Sequence, residues 1–228
     1  MKKISVYAVV ASDFHMGSKD SNAGQAVEVF ERFDFENLII VGDLHETGKE
    51  ISEDQFELVK YLRSVRGKVV YARGNHDPKE DNLIEGIIGV KVRKDYECQV
   101  NGNRFYFNHG DKYDKIGFIF SEPFMDRAFW HLIWALKIIN IQGFDAGKWL
   151  DWLHRMFSDH ITAKVRKDAI RRGCNTVVCG HTHVPLHLVF NGKNGDKIDY
   201  YNCGGWVGGL RTYLTIDYSG RTELHSVD

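Results

Sequence analysis

Five short polar clusters, each closing a run of apolar residues, constrain this 228-residue chain more than any other feature. In order they are Asp13-Phe14-His15, Gly42-Asp43, Gly74-Asn75-His76-Asp77, His109-Gly110-Asp111 and Gly180-His181-Thr182-His183. Carboxylates and imidazoles gathered without any thiolate suit Mn, Mg, Fe or Zn in a reactive site, and do not suit a closed structural zinc site. The apolar runs before the clusters cover 4–11, 37–41, 68–72, 105–108 and 176–179. They are short and rich in β-branched residues, which predicts strands buried on both faces. Each cluster therefore starts at the carboxyl end of a strand, where open α/β sheets place their ligand sites. Gly42, Gly74, Gly110 and Gly180 fit tight exits in which backbone must approach a neighbouring group.

Helical stretches separate the first three strands. Ser52 and Gln55 form a capping-box pattern that opens a helix running to Val65, with Phe56, Val59 and Leu62 on one stripe. Helices alternating with buried strands indicate an α/β domain. After Gly180 the texture changes to short strands, expected at 186–190, 197–202, 212–218 and 222–227, with turns at Asn191-Gly192 and Asn194-Gly195. These late strands are expected to form a second sheet packed on the first. Between His109 and His181 lies a stretch too long for a simple crossover. It reads as a helical insert over about 112–173, with helices near 116–141 and 147–172. Four of the five tryptophans fall in it: Trp130, Trp134, Trp149 and Trp152.

With 43% hydrophobic residues the chain can bury the core of one large domain over 1–228. A net charge of -1 lacks the basic excess of a general nucleic-acid binder, so no nucleic-acid partner is expected. The four cysteines, Cys98, Cys174, Cys179 and Cys203, show no C-x-x-C pairing and read as free thiols of a reducing compartment. Met1-Lys2-Lys3 before an apolar run imitates a signal peptide, but cleavage there would separate Asp13 and His15 from the other clusters, so a cytoplasmic location is expected. The apolar stretch 128–141 carries Lys137 and is only about half the length of a spanning helix.

The five clusters in this order resemble the motif series of the calcineurin-like metallophosphoesterase superfamily: D-x-H, G-D, G-N-H-D, a later histidine, and G-H-x-H. The resemblance implies a sandwich of two packed β-sheets flanked by helices, in four αββα layers, carrying two divalent metal ions. Asp13, His15, Asp43 and His183 would hold one metal, and Asn75, His109, His181 and a shared Asp43 the other. A carboxylate has two oxygens and can bridge cations roughly 4 Å apart. The neutral Asn75 oxygen avoids excess negative charge where an anionic phosphate must bind. Manganese is the expected metal, with Fe, Mg and Zn also accepted by these ligands. The implied nucleophile is a metal-bound hydroxide. His76 is the candidate general acid, since imidazole titrates near working pH, and Asp77 is expected to orient it by accepting a ring N–H. His45, His131, His154, His160, His187 and His225 match no ligand position.

Within the superfamily, Ser12-Asp13-Phe14-His15-Met16-Gly17, Gly42-Asp43-Leu44-His45-Glu46, His109-Gly110-Asp111 and the insert are similar to the UDP-2,3-diacylglucosamine hydrolases (pyrophosphatases) of lipid A biosynthesis. That likeness implies cleavage of a UDP-sugar lipid with release of UMP, and peripheral contact of the insert with the inner membrane surface. Those enzymes carry arginine within G-N-R-D, whereas this chain has His76 and keeps the broader superfamily form. Trp130 and Trp134, spaced i,i+4, and Trp149 and Trp152, spaced i,i+3, share helix faces that either line an acyl groove or pack the insert. The alternatives are a phosphodiesterase or phosphatase acting on soluble nucleotides or phosphoproteins, and a scaffold that has lost catalysis. A scaffold would be expected to have lost ligands, and all are present.

Overall fold

The computed structural model describes residues 2–78, 81–113, 162–193 and 195–227. The chain divides into two compact units, Met1–Gly110 together with Ala169–Asp228, and Asp111–Asp168. Of the expected insert helices, the described residues include only a helix over 162–172; the rest lies outside them.

The first sheet holds β1 (Ile4–Ala11), β2 (Phe33–Val41), β3 (Val69–Ala72), β4 (Val92–Arg93), β10 (Thr212–Ile216) and β11 (Thr222–Ser226), in the order β11-β10-β1-β2-β3-β4. β1 to β4 run parallel, β10 pairs antiparallel with β1, and β11 pairs antiparallel with β10. The second sheet has the order β5-β6-β7-β9-β8, from β5 (Tyr96–Val100), β6 (Asn103–Phe107), β7 (Thr176–Cys179), β8 (Leu186–Asn191) and β9 (Lys197–Asn202). Its centre, β6-β7-β9, is parallel, with antiparallel strands at both edges. The architecture is mixed α/β, two packed sheets flanked by helices.

Two apolar clusters hold these layers. Leu38 and Ile40 of β2 face α1 (Ala23–Phe30), α2 (Glu53–Ser64) and α3 (Asp81–Ile88), meeting Ala26, Phe30, Leu58, Leu62 and Ile88. Ile39 and Val41 face the other way, with Ala8, Val10, Leu214 and Ile216, against Val100, Phe105, Phe107 and Val178 of the second sheet. One strand thus serves both cores through its two-residue period, which is why its sequence is apolar without alternation.

The capping box at Ser52 and Gln55 forms as expected, and α2 buries Val59 and Leu62. Phe56 does not join them: it is 44% exposed, under the ammonium of Lys60, and Leu58 takes the inward position. The late strands also depart from expectation. Rather than forming one sheet together, β8 and β9 complete the second sheet while β10 and β11 extend the first. β10 pairs with β1 through Ala8↔Ile216 and Val10↔Leu214, which buries the strand along its whole length. β4, β5 and α3 were not expected from the sequence. Among the described residues no helix is long and apolar enough to cross a membrane, which says nothing of β-barrels.

Ile39 is fully buried between the sheets. Ile39→Ala should lower stability by about 2–5 kcal/mol in urea titration, because a sheet interface collapses poorly onto a lost side chain.

Candidate metal centre

The loops after β1, β2 and β3 leave the first sheet, and those after β6 and β7 leave the second, so the five clusters converge from both sheets at one end of the sandwich. Backbone hydrogen bonds lace the loops together. Asp13 N donates to Gly42 O, His15 N to Asp43 O and Met16 N to Leu44 O, while Gly180 N donates to His109 O. Trp206 N donates to Asp13 O, and its buried indole stacks on Phe14 at 6.0 Å, supporting the first loop from below.

Two neighbouring groups of donor atoms result. In one, His183 Nε2 lies 3.0 Å from Asp13 Oδ1 and 3.1 Å from His15 Nε2. In the other, His109 Nε2 lies 3.0 Å from Asp43 Oδ2 and 3.1 Å from Asn75 Oδ1, and the His181 ring meets that of His109 at 5.2 Å between centroids. Asp43 belongs to both neighbourhoods, since its Oδ2 is also 3.6 Å from His15 Nε2. Asp13, His15 and His183 form one candidate metal-binding trio, and Asp43, His109 and His181 another. All seven expected ligands, Asp13, His15, Asp43, Asn75, His109, His181 and His183, thus meet in one place.

Three observations show that this donor set suits divalent cations. Nitrogen and oxygen donors converge with their lone pairs, and no cysteine takes part. His109 Nδ1 donates to Val41 O at 2.9 Å and His15 Nδ1 faces Glu46 Oε1 at 2.6 Å, so each ring turns Nε2 inward, the second-layer pattern of metal-bound histidine. The glycines leave room that a side chain would fill. A Cβ at Gly74 would meet Asp43 Oδ1 at 2.0 Å, and one at Gly180 would meet Asp13 Oδ2 at 2.3 Å. Among the described residues, six non-glycine residues have positive φ, and five of them are Asp13, His15, Asp43, His181 and His183. Left-handed backbone costs on the order of 1 kcal/mol per residue, so its concentration here marks geometry held for function.

Burial alone would push the Asp13 carboxyl up, but bonds from His15 and His183 hold it well below the usual carboxylate range. Burial likewise opposes ionisation of Asp43, and the His109 ring overcomes it. The partners respond in kind. Against burial, Asp13 and Asp43 raise His15 to about 9, and Asp43 raises His109 to about 10.

Asp77 plays a different part from the one expected. Its buried carboxylate accepts from Asp43 N, Leu44 N, His45 N and Gly74 N, and from the Tyr71 hydroxyl. The turn carries it beneath the loops, away from the His76 ring, and it serves as their scaffold. His76 Nδ1 instead lies 3.4 Å from Glu46, a residue for which no role was expected from its type and position. Burial pushes the Glu46 carboxyl up, but His15 and His76 hold it below its ordinary value. Of the histidines expected to be uninvolved, His45 bonds Lys49 O, His187 pairs with Asp199 and His225 with Thr215; the other three lie outside the described residues.

The calcineurin-like phosphoesterase family model matches residues 7–185. Among solved structures the chain is similar to YfcE, a phosphoesterase from E. coli, at 17% identity and a TM-score of 0.53, covering 97% of this chain and 99% of that one. It is also similar to a doubly substituted Vps29 from Entamoeba histolytica, at 11% identity and a TM-score of 0.50, with 97% and 99% covered. At these identities the likeness shows the fold alone. No curated protein matches the chain significantly.

Asp77→Ala leaves several buried donors without an acceptor and should cost about 3 kcal/mol or more in urea unfolding. His76→Ala, at a half-exposed ring, should stay within about 0.5 kcal/mol of the parent. Equal costs for the two would contradict the scaffold role of Asp77.

Proposed function

The chain belongs to the calcineurin-like phosphoesterase family of metal-dependent phosphoester hydrolases, and from that premise we propose a binuclear phosphohydrolase in which Asp43 would help to hold both of two divalent ions, manganese first among the candidates. The observation that carries the proposal is the placement of Asp43 Oδ2 between His15 Nε2 and His109 Nε2, at 3.6 and 3.0 Å. Asp13, His15 and His183 would complete one ion's ligands, and Asn75, His109 and His181 the other's. When bound, such ions polarise phosphoryl oxygens and lower the pKa of water to near neutrality.

The residues of the chain divide the remaining work. Asp13 and Asp43, fully buried, supply the negative charge that retains the ions. The Asn75 amide adds a ligand without adding charge, which leaves the site receptive to a phosphate. His76 stands at the rim, 39% of its side chain exposed, with its ring 5.0 Å from that of His15. From there it delivers a proton to the departing oxygen, the general-acid part assigned to it.

For the substrate, the Ser12–Gly17 and Gly42–Glu46 motifs support UDP-2,3-diacylglucosamine or a related UDP-sugar lipid, cleaved at its pyrophosphate to release UMP. In that proposal the insert's aromatics, which lie outside the described residues, take the acyl chains and touch the membrane surface. A second substrate class, water-soluble phosphodiesters, is favoured by one specific residue: His76, where the lipid hydrolases have arginine.

Manganese-dependent hydrolysis of UDP-2,3-diacylglucosamine beside bis-p-nitrophenyl phosphate separates the two. Fast UMP release with slow diester cleavage supports the lipid; diester cleavage alone removes it and keeps the metal centre. Asp43→Ala and His109→Ala should each lower turnover at least about 100-fold, the loss of a few kcal/mol of charge stabilisation. Unchanged turnover in either variant would falsify the ligand assignment.

Loading should also release protons. The folded values of His15 and His109 lie above the ordinary 6.5, so both rings stay protonated in the metal-free chain as pH rises from there toward about 9 and 10. Ligation needs both neutral, so manganese binding at pH 7.5 should free about two protons, fading as pH rises through about 9 and 10. Calorimetry in buffers of different ionisation enthalpy reads this directly. The same shifts mean that the stability these two charged rings give the metal-free fold is full below about 6.5 and is lost as pH rises through 9 and 10.

A further inference from the structure

We propose that Glu46 is a positioning residue shared by two histidines, holding His15 toward the metals and His76 toward the leaving group; this rests on the functional proposal above. A single carboxylate oxygen, Oε1, lies 2.6 Å from His15 Nδ1 and 3.4 Å from His76 Nδ1. The two nitrogens of an imidazole sit on opposite sides of its ring, so fixing Nδ1 aims Nε2. For His15 the aim is visible: Nε2 meets His183 Nε2 at 3.1 Å and Asp43 Oδ2 at 3.6 Å. For His76 the contact is a longer ion-pair distance, which places Nδ1 on the Glu46 side of the ring and leaves Nε2 on the other. The two rings stand at 72° to one another, so one acceptor can serve both without stacking them.

Glu46 is itself held in place. Its N–H donates to Met16 O at 2.9 Å, tying it to the first loop. The next residue, Thr47, donates its hydroxyl to His76 O at 2.8 Å, tying the same strip of backbone to the third loop. Glu46 therefore sits where three of the five loops are stitched together. Its side chain is 20% exposed, between the 7% of His15 and the 39% of His76. It spans the step from the buried floor of the site to its open rim.

The trio of His15, Glu46 and His76 also gathers three donors that could hold an ion of their own. The distances oppose that use. Two ligands of one tetrahedral ion at ordinary bond lengths stand about 3 Å or more apart. At 2.6 Å, His15 Nδ1 and Glu46 Oε1 are a charge-assisted hydrogen bond with the proton between them. His15 then has one free nitrogen, and it faces Asp13, Asp43 and His183.

Three measurements on Glu46→Ala, Glu46→Gln, His76→Ala and the Glu46→Ala/His76→Ala double variant test the proposal. Manganese titration of Glu46→Ala should show affinity reduced about 10–100-fold with unchanged stoichiometry, the usual cost of losing a histidine's outer partner. Hydrolysis of diphenyl phosphate, whose leaving group needs a proton, should fall about 100-fold at saturating manganese, with much less loss on bis-p-nitrophenyl phosphate. The double variant should show no further leaving-group dependence beyond His76→Ala, and Glu46→Gln, whose amide oxygen still accepts an N–H, should recover part of both losses. Nitrogen-15 spectra of the metal-free protein should show the His15 and His76 Nδ1–H signals displaced in Glu46→Ala.

Loss of one manganese equivalent would overturn the proposal by making Glu46 a ligand. Lowered affinity with an unchanged leaving-group ratio would overturn its His76 half. Should the parent protein bind no manganese and cleave neither ester, the proposed function fails, and the metal-free spectra still decide Glu46: undisplaced Nδ1–H signals overturn its role.

Discussion

Two buried carboxylates set the terms for the rest of this structure. Asp13 and Asp43 are 0% and 1% exposed, and each makes the other's ionisation harder. Removing an unpaired carboxylate from water is prohibitive, so the fold must deliver donors and positive charge to both. Backbone supplies part of it: His181 N donates to Asp13, and His76 N donates to Asp43. Imidazoles supply the rest: His15 from Asp13's own loop, His109 from the loop after β6 and His183 from the loop after β7. Each donor must come very close, which explains why glycine stands at 74 and 180 and why five of the converging residues accept left-handed backbone. The strain, the missing Cβ atoms and the raised histidine pKa values are one constraint seen from three sides.

That constraint also explains the two-sheet design. A single sheet presents its loops in a row, and donors from a row reach an anion mainly from one side. Here β1, β2 and β3 bring Asp13, His15, Asp43, Asn75 and His76 from one sheet, and β6 and β7 bring His109, His181 and His183 from the other. His109 shows how firmly the halves are joined. It leaves the second sheet and donates Nδ1 to Val41 O of the first, so the apolar packing of Ile39 and Val41 against Phe105 and Phe107 fixes a ligand's direction as well as the core.

The strands that carry the motifs were legible because they are buried on both faces and their apolar runs end abruptly at charged residues. Ile4–Ala11, Thr176–Cys179 and Lys197–Asn202 have the bounds expected from sequence. Sheet membership was not legible: β10 is buried along its whole length, which fits either sheet, and only its register with β1 decides. β5 escaped notice because an edge strand needs little burial, and Glu97 and Gln99 interrupt its apolar character. At the site, residue types identified the ligands but not their supports. Asp77 follows His76 directly, which suggests a partner; side chains of adjacent residues diverge, and the carboxylate went to the backbone donors below. Glu46, distant in sequence from His15 and His76, became their neighbour only through folding.

Burial then separates the site into two parts with different chemistry. Asp13, His15, Asp43 and His109 form a closed floor, whereas Asn75, His76, His181 and His183 are partly or fully open to solvent. Once His15 and His109 give up their protons to ligation, the two carboxylates of the floor leave negative charge where water is scarce, which favours small cations over anything larger. The rim has no carboxylate among these four residues; it offers an amide and imidazoles, groups that tolerate or attract an anion. A phosphate approaching from solvent thus meets the Asn75 amide and the rim imidazoles before the buried carboxylates of Asp13 and Asp43. Had the arrangement been reversed, with carboxylates outermost, repulsion would act on the substrate before any ion could offset it. The position of each carboxylate in depth, as much as its identity, is what makes this end of the sandwich suited to phosphoryl chemistry.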